Sequence, residues 1–163
     1  MGIAGSTLTP VAEYISCRCG EQAIGKGQLV RLALDSDDYA TGCDGDPPDG
    51  ITVMWCDRGY EPVGVAAHSA IHGEPLRVQV YGHCDHLMTD GNVVEGDSLF
   101  VSDTVLGVAA GYNVQQLHDV FNSQSDLLGV SMRTFGVALK DDTTSNAGNR
   151  GEAVLTAAWV RFK

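Results

Sequence analysis

The sequence predicts a mainly β protein, built as a small antiparallel β-barrel or sandwich, and three observations support this fold class. Apolar and polar residues alternate through 76–80, which is the period of a half-buried strand. The mostly apolar stretch 153–162 is predicted to be a second strand, with Val154, Thr156, Ala158, Val160 and Phe162 on one face. The 20 glycines lie between short apolar runs, as is typical where tight turns join many short strands. The chain of 163 residues is long enough for one domain with its own core.

One small β unit occurs twice in the chain. The letters GVA at 64–66 are followed by a polar connection, Gly-Glu at 73–74 and the alternating strand at 76–80. The letters GVA at 136–138 are followed by a polar loop, Gly-Glu at 151–152 and the terminal strand. Because glycine reaches backbone conformations that other residues resist, each Gly-Glu pair is expected to form the turn before its strand. The repeat indicates a structural unit and not a reaction chemistry.

The predicted organisation has an extended N-terminal arm at 1–20, a single β-barrel domain at 21–163 and one short inserted helix within it, at about 105–133. The arm is small, polar and interrupted by Pro10, and it has no strong period. Asn113 can cap the inserted helix. Its apolar residues recur at three- and four-residue steps, at Val114, Leu117, Val120 and Phe121.

Short strands are predicted at 29–34, 51–55 and 99–101. The stretch CDGDPPDG at 43–50 is predicted to be a loop, because its two prolines exclude a ladder. The last strand, at 152–162, is expected to pair back with early strands. Such a pairing would close the sheet and remove an exposed edge.

The charge balance is strongly acidic, with 10 Lys and Arg against 21 Asp and Glu, a formal net charge of -11 and a pI near 4.6. Such a chain repels phosphate groups, so we expect neither nucleic acid nor an anionic membrane as a partner. No apolar run approaches the ~20 residues of a membrane span. The five cysteines are an odd number, which favours free thiols and synthesis in a reducing compartment.

Cysteine and histidine provide the candidates for a metal site, which are Cys17, Cys19, Cys84 and His86. Zinc sites usually take ligand pairs with roughly two to four residues between them, whereas these pairs have one residue between them. The alternative is that Cys17 and Cys19 are small apolar residues on one face of a strand. No nucleophile motif accompanies the five histidines, so no catalytic residue is assigned, no cofactor is expected and the chain is predicted not to be an enzyme.

Taken in order, these signals resemble the capsid decoration, or cement, proteins of tailed bacteriophages, which have a small β-barrel or β-tulip body. In that family a GVA block, a linker, Gly-Glu and an alternating strand are followed by Gly-Asp, a strand and a second GVA strand. The matching positions here are 64–66, 73–74, 96–97, 136–138 and 151–152. The resemblance covers residues 24–104 and 134–163.

The resemblance implies a structural protein that binds the outer surface of the head shell and stabilises neighbouring capsomers. Its partner would be the major capsid protein, and it would act as a homo-oligomer, a trimer, with the N-terminal arm along the shell. It would be made in the host cytoplasm and would lie on the outer capsid surface of the virion. A protein that binds only the assembled lattice stabilises that lattice by mass action.

The sequence leaves two other functions open. One is a different virion appendage, such as a head-fibre base or a tail-associated β domain that binds carbohydrate. A shared exposed face of Trp55, Tyr60 and Trp159 would favour it. The other is a small metal-dependent enzyme built on Cys84, His86 and the remaining cysteines, which stoichiometric zinc in the purified protein would favour.

Overall fold

The computed structural model of the chain describes residues 11–34, 50–57, 60–102, 104–112, 134–142 and 149–156. Within these ranges the chain forms eleven β-strands, and none of these residues belongs to a helix that could cross a membrane. The strands are β1 Glu13–Cys19, β2 Ala23–Ile24, β3 Leu29–Leu32, β4 Thr52–Trp55, β5 Gly64–Ala66, β6 Ala70–Ile71, β7 Pro75–Thr89, β8 Ser98–Val101, β9 Ala109–Tyr112, β10 Gly136–Ala138 and β11 Asn149–Leu155. The predicted β class is therefore confirmed.

The strands close two five-stranded barrels that share the long strand β7. The first half of β7 pairs with β1 and β5, and barrel 1 runs in the order β1-β4-β3-β5-β7 and back to β1. The second half pairs with β11, and barrel 2 runs in the order β7-β11-β10-β8-β9. A parallel pairing of Thr89 with Ala109 returns this ring to β7.

Each barrel contains one parallel pair among the strands described, β1 with β4 in barrel 1 and β7 with β9 in barrel 2. The other neighbours in both rings are antiparallel. Strand direction must return to itself around a closed ring, so the number of antiparallel pairs is even. A ring of five strands therefore needs at least one parallel pair, and both barrels meet this condition in the same way.

The two barrels have the same topology. In each, the first and third strands in chain order lie side by side, and the second lies between the third and the fourth. Backbone hydrogen bonds recur at matching places. The amide of Gly27 donates to the carbonyl of Ala66 at 2.8 Å, and the amide of Gly96 donates to that of Ala138 at 2.8 Å. The predicted repeat of one β unit is confirmed, with the second half of β7 as the first strand of the second unit.

The register of the repeat differs from the one that the motifs predict. Gly73 lies in the turn before β7, with a φ angle of 78°. Gly151 lies inside β11 instead, so the prediction that it forms a turn is wrong. The carbonyl of Glu152 accepts the backbone hydrogen bond that matches the one Arg77 accepts in barrel 1. Glu152 therefore corresponds to Arg77 and not to Glu74.

Each barrel has its own core. The core of barrel 1 is lined by Cys17, Cys19, Ile24, Val30, Val53, Ala66, Ala70, Leu76, Val78 and Val80. The core of barrel 2 is lined by Cys84, Leu87, Val93, Leu99, Val101, Ala109, Phe135, Ala138, Ala153 and Leu155. Three residues from barrel 1, Leu29, Cys56 and Val65, are buried in this second cluster. The two barrels therefore share a buried contact and are not separate domains joined by a linker.

The structure shortens the predicted arm. Residues 13–19 of it form β1, which pairs with the first half of β7. The inner face of β1 contributes Cys17 and Cys19 to the core of barrel 1, so this stretch belongs to the barrel and not to an arm. Residues 1–10 lie outside the described residues.

The predicted insertion at about 105–133 lies mostly outside the described residues, and so does its proposed cap Asn113. Its described start forms β9, an antiparallel partner of β8, and no helix occurs in the part of the chain that the structure describes. Ala109 and Ala110 have little intrinsic preference for a strand, and pairing with β8 fixes their conformation. The expected pairing of the last strand with early strands is also wrong, since β11 pairs with β7 and β10.

Candidate functional site

The predicted metal candidates lie in two different cores. Cys17 and Cys19 face the interior of barrel 1, and Cys84 faces that of barrel 2. Burial raises the pKa of both Cys17 and Cys84 to about 11, so these thiols stay protonated near neutral pH. A thiol ligand or nucleophile must be deprotonated. Among the residues described, no group of three potential metal ligands comes together. Cys43 lies outside the described residues.

One cysteine and one histidine do meet, on β7. Sγ of Cys84 lies 3.7 Å from Nδ1 of His86, which lies 3.1 Å from Oδ1 of Asp85. The hydrogen bond with His86 lowers the pKa of the Asp85 carboxyl. Cys84 is only 1% exposed, so its sulfur is out of reach of a dissolved substrate. The arrangement stabilises the strand but lacks the accessible thiolate that nucleophilic catalysis requires.

Trp55 is bound into the fold of barrel 1. Its indole Nε1 donates to Oε1 of Gln28 at 3.1 Å, and the same oxygen accepts the amide of Gly25 at 2.6 Å. The carboxamide thus joins the end of β4 to the turn that precedes β3. An indole held in this way uses its N–H donor to support the turn.

Tyr60 borders a groove of about 290 Å³ beside β3. The guanidinium carbon of Arg31 lies 4.2 Å from the centre of the Tyr60 ring. The other lining residues are mostly apolar: Leu32, Leu34, Pro62 and Val63 with Glu61. Trp159 lies outside the described residues. The structure therefore describes two of the three aromatic rings expected on a carbohydrate-binding face, and one of these, Trp55, is bonded within the fold.

A second stacked pair of arginine and tyrosine lies on β1 and β7. The guanidinium carbon of Arg77 lies 4.5 Å from the centre of the Tyr14 ring, which is 41% exposed as a residue. Arginine and tyrosine are enriched at protein–protein interfaces, where they supply large contact areas. Sequence reasoning missed this pair, because Tyr14 was assigned to an arm and its pairing with β7 could not be read from the alternation of residues.

The described histidines have structural partners. Nε2 of His68 accepts the amide of Arg77 at 3.1 Å, and its Nδ1 lies 3.0 Å from the carbonyl oxygen of Ser69. Nδ1 of His72 lies 3.1 Å from the carbonyl oxygen of Gly20. These contacts fix the connections between β5, β6 and β7 and leave His68 without a role as a general base.

The interface between the barrels combines backbone hydrogen bonds with apolar burial. The amide of Leu29 donates to the carbonyl of Gly107 at 2.8 Å, and the amide of Met88 donates to that of Gly27 at 2.9 Å. The side chains of Leu29 and Val65 belong to the second core cluster and are 0% exposed. Barrel 2 therefore covers the part of the outer face of barrel 1 that contains Leu29 and Val65.

The described residues of the two barrels carry different numbers of charged side chains. In the described part of 11–81, five acidic residues face four basic ones, namely Glu13, Glu21, Asp57, Glu61 and Glu74 against Arg18, Lys26, Arg31 and Arg77. In the described part of 82–156, seven acidic residues face two basic ones, namely Asp85, Asp90, Glu95, Asp97, Asp141, Asp142 and Glu152 against Lys140 and Arg150. These described residues carry formal charges of -1 and -5, but the full sequence has 11 acidic and 5 basic residues in 1–81 and 10 acidic and 5 basic residues in 82–163, so both halves of the chain are acidic.

No protein-family model matches the chain, and no curated protein sequence matches it. Its fold is similar to that in the crystal structure of the head fiber gp8.5 N base in bacteriophage phi29, with a TM-score of 0.53 and 14% sequence identity. The match covers 90% of this chain and 96% of that chain. At this identity the comparison shows a shared fold, and it includes both barrels because nearly all of each chain is covered.

Proposed function

We propose that this chain is a structural protein of a bacteriophage head and serves as the base of a head appendage. The observation that carries this proposal is the fold similarity to a head-fiber base over 90% of this chain and 96% of the other. A match of that extent includes the arrangement of the two barrels and not only one common sheet. We expect the protein to reside in the virion and to perform no catalysis.

The physical properties of the double barrel support a mounting role. Closed rings leave few strand edges for wrong pairing. The shared strand β7 and the burial of Leu29 and Val65 between the barrels make the molecule stiff along its length. A stiff base transmits force from an appendage to the shell and does not bend at a linker.

Decoration of the head shell is the second proposed function. In this role the protein would bind the major capsid protein on the outer surface, as a homotrimer, and clamp neighbouring capsomers. The net charge of -11 supports it, because an acidic surface complements a basic patch on a shell. A base and a decoration protein differ in effect: only the second must stabilise the lattice that it binds.

Binding to heads lacking the protein tests both functions. Purified full chain is mixed with particles from a phage whose gene for this chain is deleted, and bound protein is measured after sedimentation and located by electron microscopy. We expect saturable binding on heads and none on isolated tails. A rise in the temperature at which the heads break would favour decoration, and an unchanged temperature would favour an appendage base. Absence of binding, or binding to tails alone, would overturn the proposal.

A further inference from the structure

Three neighbouring residues on the outer face of barrel 1 are buried in the interior of the molecule. Leu29 pairs with Val65 across β3 and β5, and Val65 pairs with Gln79 across β5 and β7. Their exposed fractions are 0%, 0% and 1%. Leu29 and Val65 pack with the core of barrel 2, while their neighbours in sequence Val30 and Ala66 pack inside barrel 1. A barrel face of this kind is therefore covered by another barrel.

The repeat places an equivalent row on the outer face of barrel 2. There Val137 of β10 pairs with Ser98 of β8 and with Val154 of β11. Val137 is 41% exposed, and Ser98 and Val154 are half-buried. Further along the same face, Leu139 is 41% exposed and Val94 is 50% exposed. We call this surface the open face, made of Val94, Ser98, Val137, Leu139 and Val154.

The open face has an acidic rim. The backbone amide of Leu139 donates to the carbonyl of Glu152, and the amide of Glu95 donates to Oδ1 of Asp141 at 2.8 Å. Three acids and one base, the exposed Lys140, therefore lie beside the open face, and Oε1 of Glu152 lies 2.6 Å from Nε2 of His83. Apolar side chains in the middle and charges around them are the arrangement of a protein–protein contact. A partner with an apolar and basic surface would fit it.

The β1 side of barrel 1 offers such a surface. Tyr14 is 41% exposed and stacks with Arg77, and Ile51 is 52% exposed. The amide of Arg18 donates to the carbonyl of Ile51 at 2.7 Å, which places a second arginine beside it. We call these four residues the β1 side. In the described part of the chain, the residues of β1 before Arg18 pair with β7.

We infer that copies of this chain associate head to tail. The open face of barrel 2 in one copy packs on the β1 side of barrel 1 in the next. Barrel against barrel is the packing that the molecule already uses internally, and the acidic rim faces Arg18 and Arg77. Two different surfaces are used, so the interface is heterologous, and it forms a ring where the rotation between copies closes. The inference concerns the chain alone and does not depend on attachment to a head.

The test is the mass of the full chain in solution, measured by light scattering on a sizing column. We expect an oligomer for the natural sequence and a monomer for the double substitution Val137→Glu and Leu139→Glu, because two carboxylates would then be buried in an apolar contact beside an acidic rim. A second variant, Tyr14→Ala with Arg77→Glu, removes the β1 side and is also expected to be a monomer. Leu106→Glu is the matched control, since Leu106 is 47% exposed on barrel 2 and belongs to neither surface.

Mixing the two monomeric variants distinguishes the head-to-tail arrangement from a two-fold contact. Each variant keeps one intact surface, so a mixture is expected to form a dimer of one copy of each. A symmetric contact of the open face with itself would give no such dimer. Circular dichroism and the melting temperature verify that each variant is folded. A natural chain that stays monomeric at high concentration, a double variant that stays oligomeric, or a mixture that stays monomeric would each overturn the inference.

Discussion

The Cα atom of Gly82 lies against the backbone of Val11, so closely that a Cβ at Gly82 would be 2.6 Å from the carbonyl oxygen of Val11. The φ angle of Gly82 is 88°, a conformation that residues with a Cβ resist. At this point β7 leaves β1, whose residue Glu13 pairs with Tyr81, and begins to pair with β11. Glycine here allows one continuous strand to serve two barrels.

The substitution Gly82→Ala is expected to destabilise the protein by more than the conformational cost of a positive φ, which is about 1–2 kcal/mol. Gly96→Ala is the matched control, because Gly96 has the same φ of 88° and no atom within 4 Å of its added Cβ. The free energy of unfolding in urea is the measurement. Equal losses for the two variants would show that the contact with Val11 has no energetic role.

Loss of apolar contact between the barrels is the second prediction. Leu29→Ala is expected to lower the free energy of unfolding by about 2–5 kcal/mol, because the side chain is completely buried. Leu32→Ala lies on the same strand and is the control, since Leu32 is 48% exposed and its loss should cost less than about 1 kcal/mol. If the barrels are one cooperative unit, Leu29→Ala will shift a single unfolding transition. Two separate transitions in the natural chain would contradict the shared core.

The third prediction concerns the carboxamide of Gln28, which accepts hydrogen bonds from Trp55 and Gly25. Gln28→Ala leaves both donors without their acceptor and is expected to cost about 1–3 kcal/mol. Gln28→Glu keeps the accepting oxygen and should retain most of this stability. The comparison is made by thermal unfolding, with the tryptophan fluorescence of the folded state as a second readout. A larger loss in Gln28→Glu than in Gln28→Ala would refute the role of the oxygen.

The fourth prediction follows from the buried thiols. Burial raises the pKa of Cys84 from 9.0 to about 11, so the folded protein holds this proton more tightly than the unfolded chain does. The resulting stabilisation is complete below pH 9 and is lost as the pH rises towards 11. We expect the free energy of unfolding to fall over this range, and to fall less steeply in Cys84→Ala. Parallel curves for the two proteins would show that the thiol does not ionise on unfolding.

Reagents that attack thiolates provide the fifth prediction. In a Cys43→Ser background, the native protein is expected to react very slowly near pH 8 and quickly after unfolding, because the four other cysteines are buried. The burial of Cys56 raises its pKa to about 12, which makes it less reactive than Cys17 and Cys84, whose pKa is raised to about 11. Labelling followed by mass spectrometry measures this order. Rapid labelling of Cys84 in the folded protein would contradict this prediction and would support a nucleophilic role for Cys84 beside His86.

The sequence allows the β class and the repeat to be predicted, because both rest on short-range signals. Alternation at 76–80 fixes one strand, and the GVA blocks mark two strands that occupy equivalent places in the barrels. The alternation also assigns Val137 to the opposite face from Gly136 and Ala138. The alternation does not give the register between strands. The register is needed to see that the exposed Val137 of barrel 2 is equivalent to the buried Val65 of barrel 1.

The remaining errors have physical causes. The first residues of β1, Glu13 and Tyr14, are exposed, and the alternation of Ile15, Cys17 and Cys19 is short, so the sequence reads this stretch as part of an arm. The alternation predicts a strand only at 76–80, whereas β7 runs from Pro75 to Thr89. The carboxamide of Gln79 donates to the carbonyls of Tyr81 and His83, which holds the strand together across Gly82. The candidate metal ligands Cys17, Cys19 and Cys84 are chemically similar, but they lie in separate barrels. The topology is needed to show this separation.

The shared strand also orders events during synthesis. All five strands of barrel 1 lie within residues 13–81, so this barrel can close while later residues are still being added by the ribosome. The second half of β7 then emerges from a folded unit as a ready template on which barrel 2 assembles. Until that assembly is complete, Leu29 and Val65 present a bare apolar surface, and the nascent chain passes through its most aggregation-prone stage with half of its final fold already in place.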